Sequence, residues 1–266
     1  MIKFIACDMD GTLVDDKKEI DKSVFSTIEY LNEKNVLFCA ASGRQYNSLK
    51  TIFGEYGKNM VFISENGSYV VYDNKQIYAS FMDKELWQYI VLKCTEHGGM
   101  GIILCCKDYI YTTDPETVDM LSNPKFGYNV RLVDSLIDID DDILKVSILD
   151  DNPYSGRVKK FLETNFKDKT DIAVSGFNCI DIMKKGVSKG KAVREILENM
   201  GIAKDEAAVF GDNFNDLEMF DEVYYSFAMK NAVDEIKERA NFVTSHTNNE
   251  CGVVKEIEKF IEKGVI

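Results

Sequence analysis

Ile2-Lys3-Phe4-Ile5-Ala6-Cys7 runs directly into Asp8-Met9-Asp10-Gly11-Thr12, and this stretch decides the fold. A short apolar run closed by an acidic, glycine-containing turn predicts a strand that empties into a loop. Two carboxylates two residues apart in extended backbone face the same side, and Gly11 lets the chain bend there. Anions that close repel each other unless a proton or a cation lies between them. A hard divalent cation with oxygen ligands resolves the repulsion, and Mg²⁺ suits a site with few protein ligands. An ordinary polar turn after a strand has the same composition, so a second cluster must decide between the two.

That cluster is Phe210-Gly211-Asp212-Asn213-Phe214-Asn215-Asp216, again after an apolar run and before an amphipathic stretch. Between the two, strand and helix patterns alternate. Lys22 to Lys34 carries Val24, Ile28 and Leu31 on one helical face; Val36 to Ala41 and Met60 to Ile63 are further apolar runs. Such alternation implies βαβ units and a parallel sheet, whose ligand sites gather at the carboxyl ends of strands. The middle of the chain differs. Lys84 to His97 reads as a helix, Gly101 to Cys106 with Tyr109 to Thr112 as a hairpin, and Leu144 to Leu149 as a strand. Tyr154 to Asn165 reads as a helix, and Ile172 to Ser175 with Cys179 to Met183 as a strand pair around Gly176. The expected fold is therefore α/β: a Rossmann-like parallel-sheet core, 1–83 and 183–266, with an inserted α+β cap, 84–182.

Composition narrows the function. The 266 residues are 45% hydrophobic, enough for a sizeable core, and carry 32 basic against 45 acidic residues, a net charge of −13. Such a surface repels phosphate backbones and argues against nucleic acid as a partner. Only His97 and His246 are available, which excludes centres built from several imidazoles. His97 is expected at a helix end, His246 in a surface loop, and Trp87 in packing. Seven cysteines without a C-x-x-C pair read as buried thiols in a reducing compartment, Cys105-Cys106 as strand residues rather than a redox pair. No run approaches a membrane span and the amino terminus turns acidic too soon for a signal peptide. A cytoplasmic protein, monomeric or weakly self-associating, is expected.

Ser42-Gly43, after the second strand, can offer a hydroxyl and backbone N–H groups to an anion. Lys189, within Lys185-Gly186-Val187-Ser188-Lys189-Gly190-Lys191, opens the next helix and is a second candidate phosphate contact, although a basic residue there taken alone reads as solvated; its loss should leave stability little changed or raised. The segment is not a P-loop, because its glycine spacing is wrong and Ala192 replaces the Ser/Thr. Together the four segments resemble the haloacid dehalogenase superfamily, and the inserted module, Asn66-Gly67 and Ala228-Met229-Lys230-Asn231-Ala232 resemble its Cof-type branch. Ser42 stands where many relatives have Thr, and Lys230 where Gly is frequent.

The resemblance implies a Mg²⁺-dependent phosphatase of small phosphorylated metabolites such as sugar phosphates. In it Asp8 would be the nucleophile and Asp10 the general acid and base. Asp8, Asp212 and the backbone carbonyl of Asp10 would bind the metal, with Asp216 bracing them. Ser42, Gly43, Met9, Asn215 and Lys189 would contact substrate, Lys189 also offsetting transition-state charge. A phosphomutase of the same superfamily and a non-catalytic phosphate-binding regulator are the alternatives. The cap residues follow no readable pattern.

Overall fold

The computed structural model describes residues 1–123, 127–150, 156–175 and 179–266. β1 (Phe4–Asp8) is buried on both faces because its side chains alternate between two apolar layers. Ile5 and Cys7 face the layer holding Val24, Ile28 and Leu31 of α1 (Lys22–Glu33), together with Leu49 and Phe53 of α2 (Tyr46–Phe53). Phe4 and Ala6 face the opposite layer. Double burial is the signature of a parallel sheet covered by helices on both sides.

That sheet has eight strands. Following β1 come β2 (Leu37–Ala41), β3 (Val61–Ser64), β4 (Tyr69–Tyr72) and β5 (Lys75–Ala79). β12 (Ala207–Gly211), β13 (Tyr225–Ala228) and β14 (Phe242–Val243) complete the order β14-β13-β12-β1-β2-β3-β4-β5. Pairing is parallel from β14 to β3. The β3–β4 and β4–β5 pairs are antiparallel, an edge hairpin that the apolar runs alone do not announce. Its turn was nonetheless encoded: Asp73 and Asn74 both take positive φ, 50° and 56°, as a tight two-residue hairpin requires.

A second, six-stranded sheet comes from the inserted segment. Its strands are β6 (Gly101–Cys105), β7 (Ile110–Thr112), β8 (Val130–Leu132), β9 (Lys145–Leu149), β10 (Thr170–Ser175) and β11 (Cys179–Lys184), in the order β10-β11-β9-β6-β7-β8. All pairs are antiparallel except β7–β8. α3 (Lys84–His97) and α5 (Arg157–Phe166) pack on one face; α4 (Pro115–Leu121) lies on the other. Tyr154, read as the start of a helix, and Gly176, read as a turn, lie outside the described residues. Alternation sends Val146, Ile148, Ile180 and Ile182 to the helices. It leaves Lys145, Ser147 and Asp181 on the opposite face, with Ser147 directly across from Asp181. All seven cysteines are free thiols, and both Cys105 and Cys106 are buried. Among the described residues no helix is long and apolar enough to cross a membrane.

α6 (Lys189–Met200) returns the chain to the first sheet, its amino terminus capped by Ser188, whose hydroxyl accepts from the Lys191 N–H at 3.1 Å. Gly190 sits where a Cβ would overlap the backbone of Glu218. Gly190→Ala should therefore unseat the start of α6. We expect a loss of about 1–3 kcal/mol, read as a lower urea midpoint at unchanged slope. An unaltered midpoint would mean that α6 is not seated this closely.

Candidate active site

β1, β2 and β12 end at one edge of the parallel sheet, and each carries a motif to it. β1 delivers Asp8, β2 leads into Ser42 and Gly43, and β12 leads into Asp212. Asp8, Asp212 and Asp216 each place a carboxylate oxygen within 4.8 Å of the others. Lys189 Nζ donates to Asp8 Oδ1 at 2.5 Å and to Asp216 Oδ1 at 2.8 Å. The second oxygen of Asp216 accepts from the backbone N–H groups of Asp212 and Asn213 at 3.0 and 3.1 Å. Thr12 Oγ1 donates to Asp212 Oδ1 at 2.9 Å. Gly11, at φ 86°, passes so close to Asp212 that any Cβ would overlap its carboxylate.

Three carboxylates against one ammonium leave negative charge uncompensated in a poorly hydrated place. Burial, reinforced by Asp216, pushes the Asp8 carboxyl well above its ordinary range and Asp212 up to about 7. A hard divalent cation would remove that excess. The donors are all oxygen, and Asp216 is committed through both oxygens to Lys189 and the backbone, whereas Lys189 and Thr12 each bond one oxygen of Asp8 and of Asp212 and leave the other to serve as a side-chain ligand. These residues fit Mg²⁺.

Lys189, placed at the site by the resemblance, is buried there, which corrects the expectation that its loss leaves stability little changed or raised. It is 1% exposed, and Asp216 and Asp8 hold its ammonium protonated against the cost of burial. Lys191, two residues on, is half-exposed and faces Glu195 at 3.9 Å. The Met9 side chain lies in the apolar core, so only its backbone is left to meet a substrate. Ser42 is buried, accepts from the Arg44 N–H at 3.1 Å and lines the cleft with Gly43, Asp8, Asp10 and Asn215.

Asp10 does not join the three clustered carboxylates. Arg44 grips it with two bonds, Nε to Oδ2 at 2.9 Å and Nη2 to Oδ1 at 2.7 Å, and Lys18 adds a third at 2.9 Å. Burial alone would raise this carboxyl, but Arg44 and then Lys18 override it and hold it at about 2. Both cations escaped the sequence reading, although Arg44 follows Ser42-Gly43 immediately.

A buried polar network joins the two sheets across the cleft. Lys145 Nζ reaches the Gly43 carbonyl at 2.7 Å, Asp181 at 2.9 Å and Glu65 at 2.9 Å. Asp181 also accepts from Asn66 at 2.6 Å, Ser147 at 2.6 Å and Ser175 at 2.8 Å. Asn66 in turn accepts from Asn215 at 3.1 Å. Residues 65–67 hold three consecutive positive φ angles, 51°, 55° and 103°, beside α6. A signal for Lys145, Ser147 and Asp181 was present, since each is polar at one parity of an otherwise apolar strand. Asn231, in the tail segment, donates to the Gly11 carbonyl at 2.8 Å. His97 is exposed at the end of α3; His246 is half-buried, with Nδ1 shut away from solvent, and neither lines the Asp8 cleft.

Removing Lys189 strands two buried carboxylates. Lys189→Met should cost about 3–5 kcal/mol at neutral pH. Because the folded-state affinity of Asp8 for protons is raised, that loss should shrink as pH falls and the carboxyl takes up a proton. Thermal unfolding across pH checks this; an unchanged melting temperature would restore the solvated lysine.

Residues 5–257 match the haloacid dehalogenase-like hydrolase family model. The 5-amino-6-(5-phospho-D-ribitylamino)uracil phosphatase YbjI of Escherichia coli (strain K12) is 29% identical, covering 98% of this chain and 97% of its own. The HMP-PP phosphatase of Klebsiella pneumoniae (strain 342) is 24% identical over 89% of this chain and 87% of its own. The crystal structure of SMU.1108c from Streptococcus mutans UA159 superposes with a TM-score of 0.90 at 29% identity, covering 98% of this chain and 100% of that one. The chain belongs to the haloacid dehalogenase-like hydrolase family.

Proposed function

We propose that the protein is a Mg²⁺-dependent phosphatase of small phosphorylated metabolites, acting through an aspartyl-phosphate on Asp8. The observation that carries this is the Asp8 carboxylate at the end of β1, held by Lys189 and flanked by Asp212 and Asp216. Relatives named as phosphatases of phosphorylated ribitylaminouracil and of HMP-PP support the substrate class.

Asp8, Asp212 and the Asp10 backbone carbonyl would hold the metal, which supplies positive charge to the phosphoryl oxygens. Asp8 attacks phosphorus, forming a P–O bond as the bond to the leaving oxygen breaks. Lys189 and Ser42 hold the phosphoryl oxygens, and Lys189 offsets charge that develops in transfer. Asp10 gives its proton to the leaving oxygen and then takes one from the water that cleaves the aspartyl-phosphate. For this Asp10, which the Arg44 fork keeps ionised, must leave that fork and take up a proton from solvent before it meets the leaving oxygen.

Asp8→Asn should lower phosphate release by roughly 10⁴-fold or more while the protein still folds. EDTA should abolish activity and Mg²⁺ restore it. A single turnover in ¹⁸O-water should put solvent oxygen into the released phosphate and leave Asp8 unlabelled. Full activity in Asp8→Asn would remove the nucleophile from this account.

A further inference from the structure

Asp181 is wholly buried at the centre of the network that joins the two sheets. Lys145, Asn66 and Ser175 donate to its Oδ2, and Ser147 donates to its Oδ1. The carboxylate thus acts as an acceptor on every side. That has a directional consequence, because an amide has one donating end and one accepting end. Asn66 meets Asp181 at 2.6 Å, and an amide oxygen so close to a carboxylate oxygen would be repelled. The nitrogen of Asn66 must therefore face Asp181, and its oxygen is the end left for Asn215. Asn215 answers with its own nitrogen, at 3.1 Å.

The Asn66 amide has little room to turn. Its backbone is held at φ 55°, and its terminal atoms lie 3.2 Å from where a Cβ on Gly43 would stand. Asn215 is held far more lightly. It is half-buried in the short turn Phe214–Asp216, beside the Asp8 cleft. Among the described residues its side chain makes one hydrogen bond, to Asn66. Without that bond either end of the amide could turn to the cleft. An oxygen there repels a phosphoryl group, whereas an N–H binds it.

We propose that Asp181 is a positioning residue for phosphoryl binding: through Asn66 it fixes the Asn215 amide so that an N–H is available to a phosphoryl oxygen. This deepens the phosphatase reading and rests on it. Asn215 spends one N–H on Asn66 and keeps the other for the phosphoryl group. Because Asp181 lies on the six-stranded sheet and Asn215 follows the parallel one, the amide is set only while the two sheets are seated together.

The test is a double-mutant cycle on kcat/KM of the full chain with Mg²⁺ and p-nitrophenyl phosphate. Asp181→Leu, close in shape but unable to accept, should lower kcat/KM roughly tenfold. In the Asn215→Ala background, itself impaired, the same change should cost less than about twofold, since the relay then has nothing to orient. An Asp181 that served stability alone would add its full loss there. Asp181→Asn should recover most of the activity, because its oxygen can still accept from Asn66 while its nitrogen donates to Ser147. Asn66→Gly, which tolerates the positive φ, should behave as Asp181→Leu does in both backgrounds, and it decides the matter if Asp181→Leu fails to fold. A loss that persists undiminished without Asn215, or folded single variants with wild-type kcat/KM, would overturn the relay and leave the phosphatase reading standing. A wild type that releases phosphate from neither p-nitrophenyl phosphate nor glycerol 3-phosphate would remove both.

Discussion

One constraint organises the catalytic edge: three carboxylates must sit together out of water with a single ammonium among them. Asp8, Asp212 and Asp216 meet because β1 and β12 are neighbours in register, and Lys189 is driven in by the start of α6. Every close approach nearby serves that arrangement. Gly11 makes room for Asp212, Gly211 for Asp216 and Gly190 for the turn that follows, so small residues lie wherever charge is concentrated. The resulting imbalance makes the place receptive to a cation and to a phosphoryl group that brings its own negative charge.

The second sheet is tied to this centre by hydrogen bonds rather than by apolar packing alone. Lys145 bonds to the Gly43 carbonyl beside Ser42, and Asp181 holds Asn66, which holds Asn215. Side chains beneath the six-stranded sheet are thereby continuous with those beside Ser42 and Asp8. Residues 65–67 are the joint. Their left-handed backbone, unfavourable for Glu65 and Asn66 in isolation, persists because bonds from both sheets over-determine it.

Much of this was legible in sequence, for identifiable reasons. Asp8, Asp212 and Ser42 announce themselves because strand ends are marked by apolar runs that stop at polar turns. The parallel block and the helix Lys84–His97 follow from periodicity alone. What escaped depends on distant pairing. The burial of Lys189 escaped, although the resemblance put it at the site, because nothing local shows that Asp8, 181 residues away, lies against it. Arg44 and Lys18 escaped because a basic residue in a loop is ordinary until its partner is known. Lys145 and Asp181 were hidden in segments read simply as strands, whose polar positions stand out only once the alternation is matched to a second face.

The placement of β1 has a consequence for how the chain is made. β1 pairs with β2 about 30 residues later, but its other edge waits for β12, about 200 residues downstream. At synthesis rates of roughly 5–20 residues per second, that apolar edge stays open for about 10–40 s on the ribosome. Until β12 and α6 arrive, Asp8 remains in water, where its charge costs nothing. An apolar strand of the core is thus born next to an acidic turn, whose charge opposes pairing of the nascent edge with its neighbours.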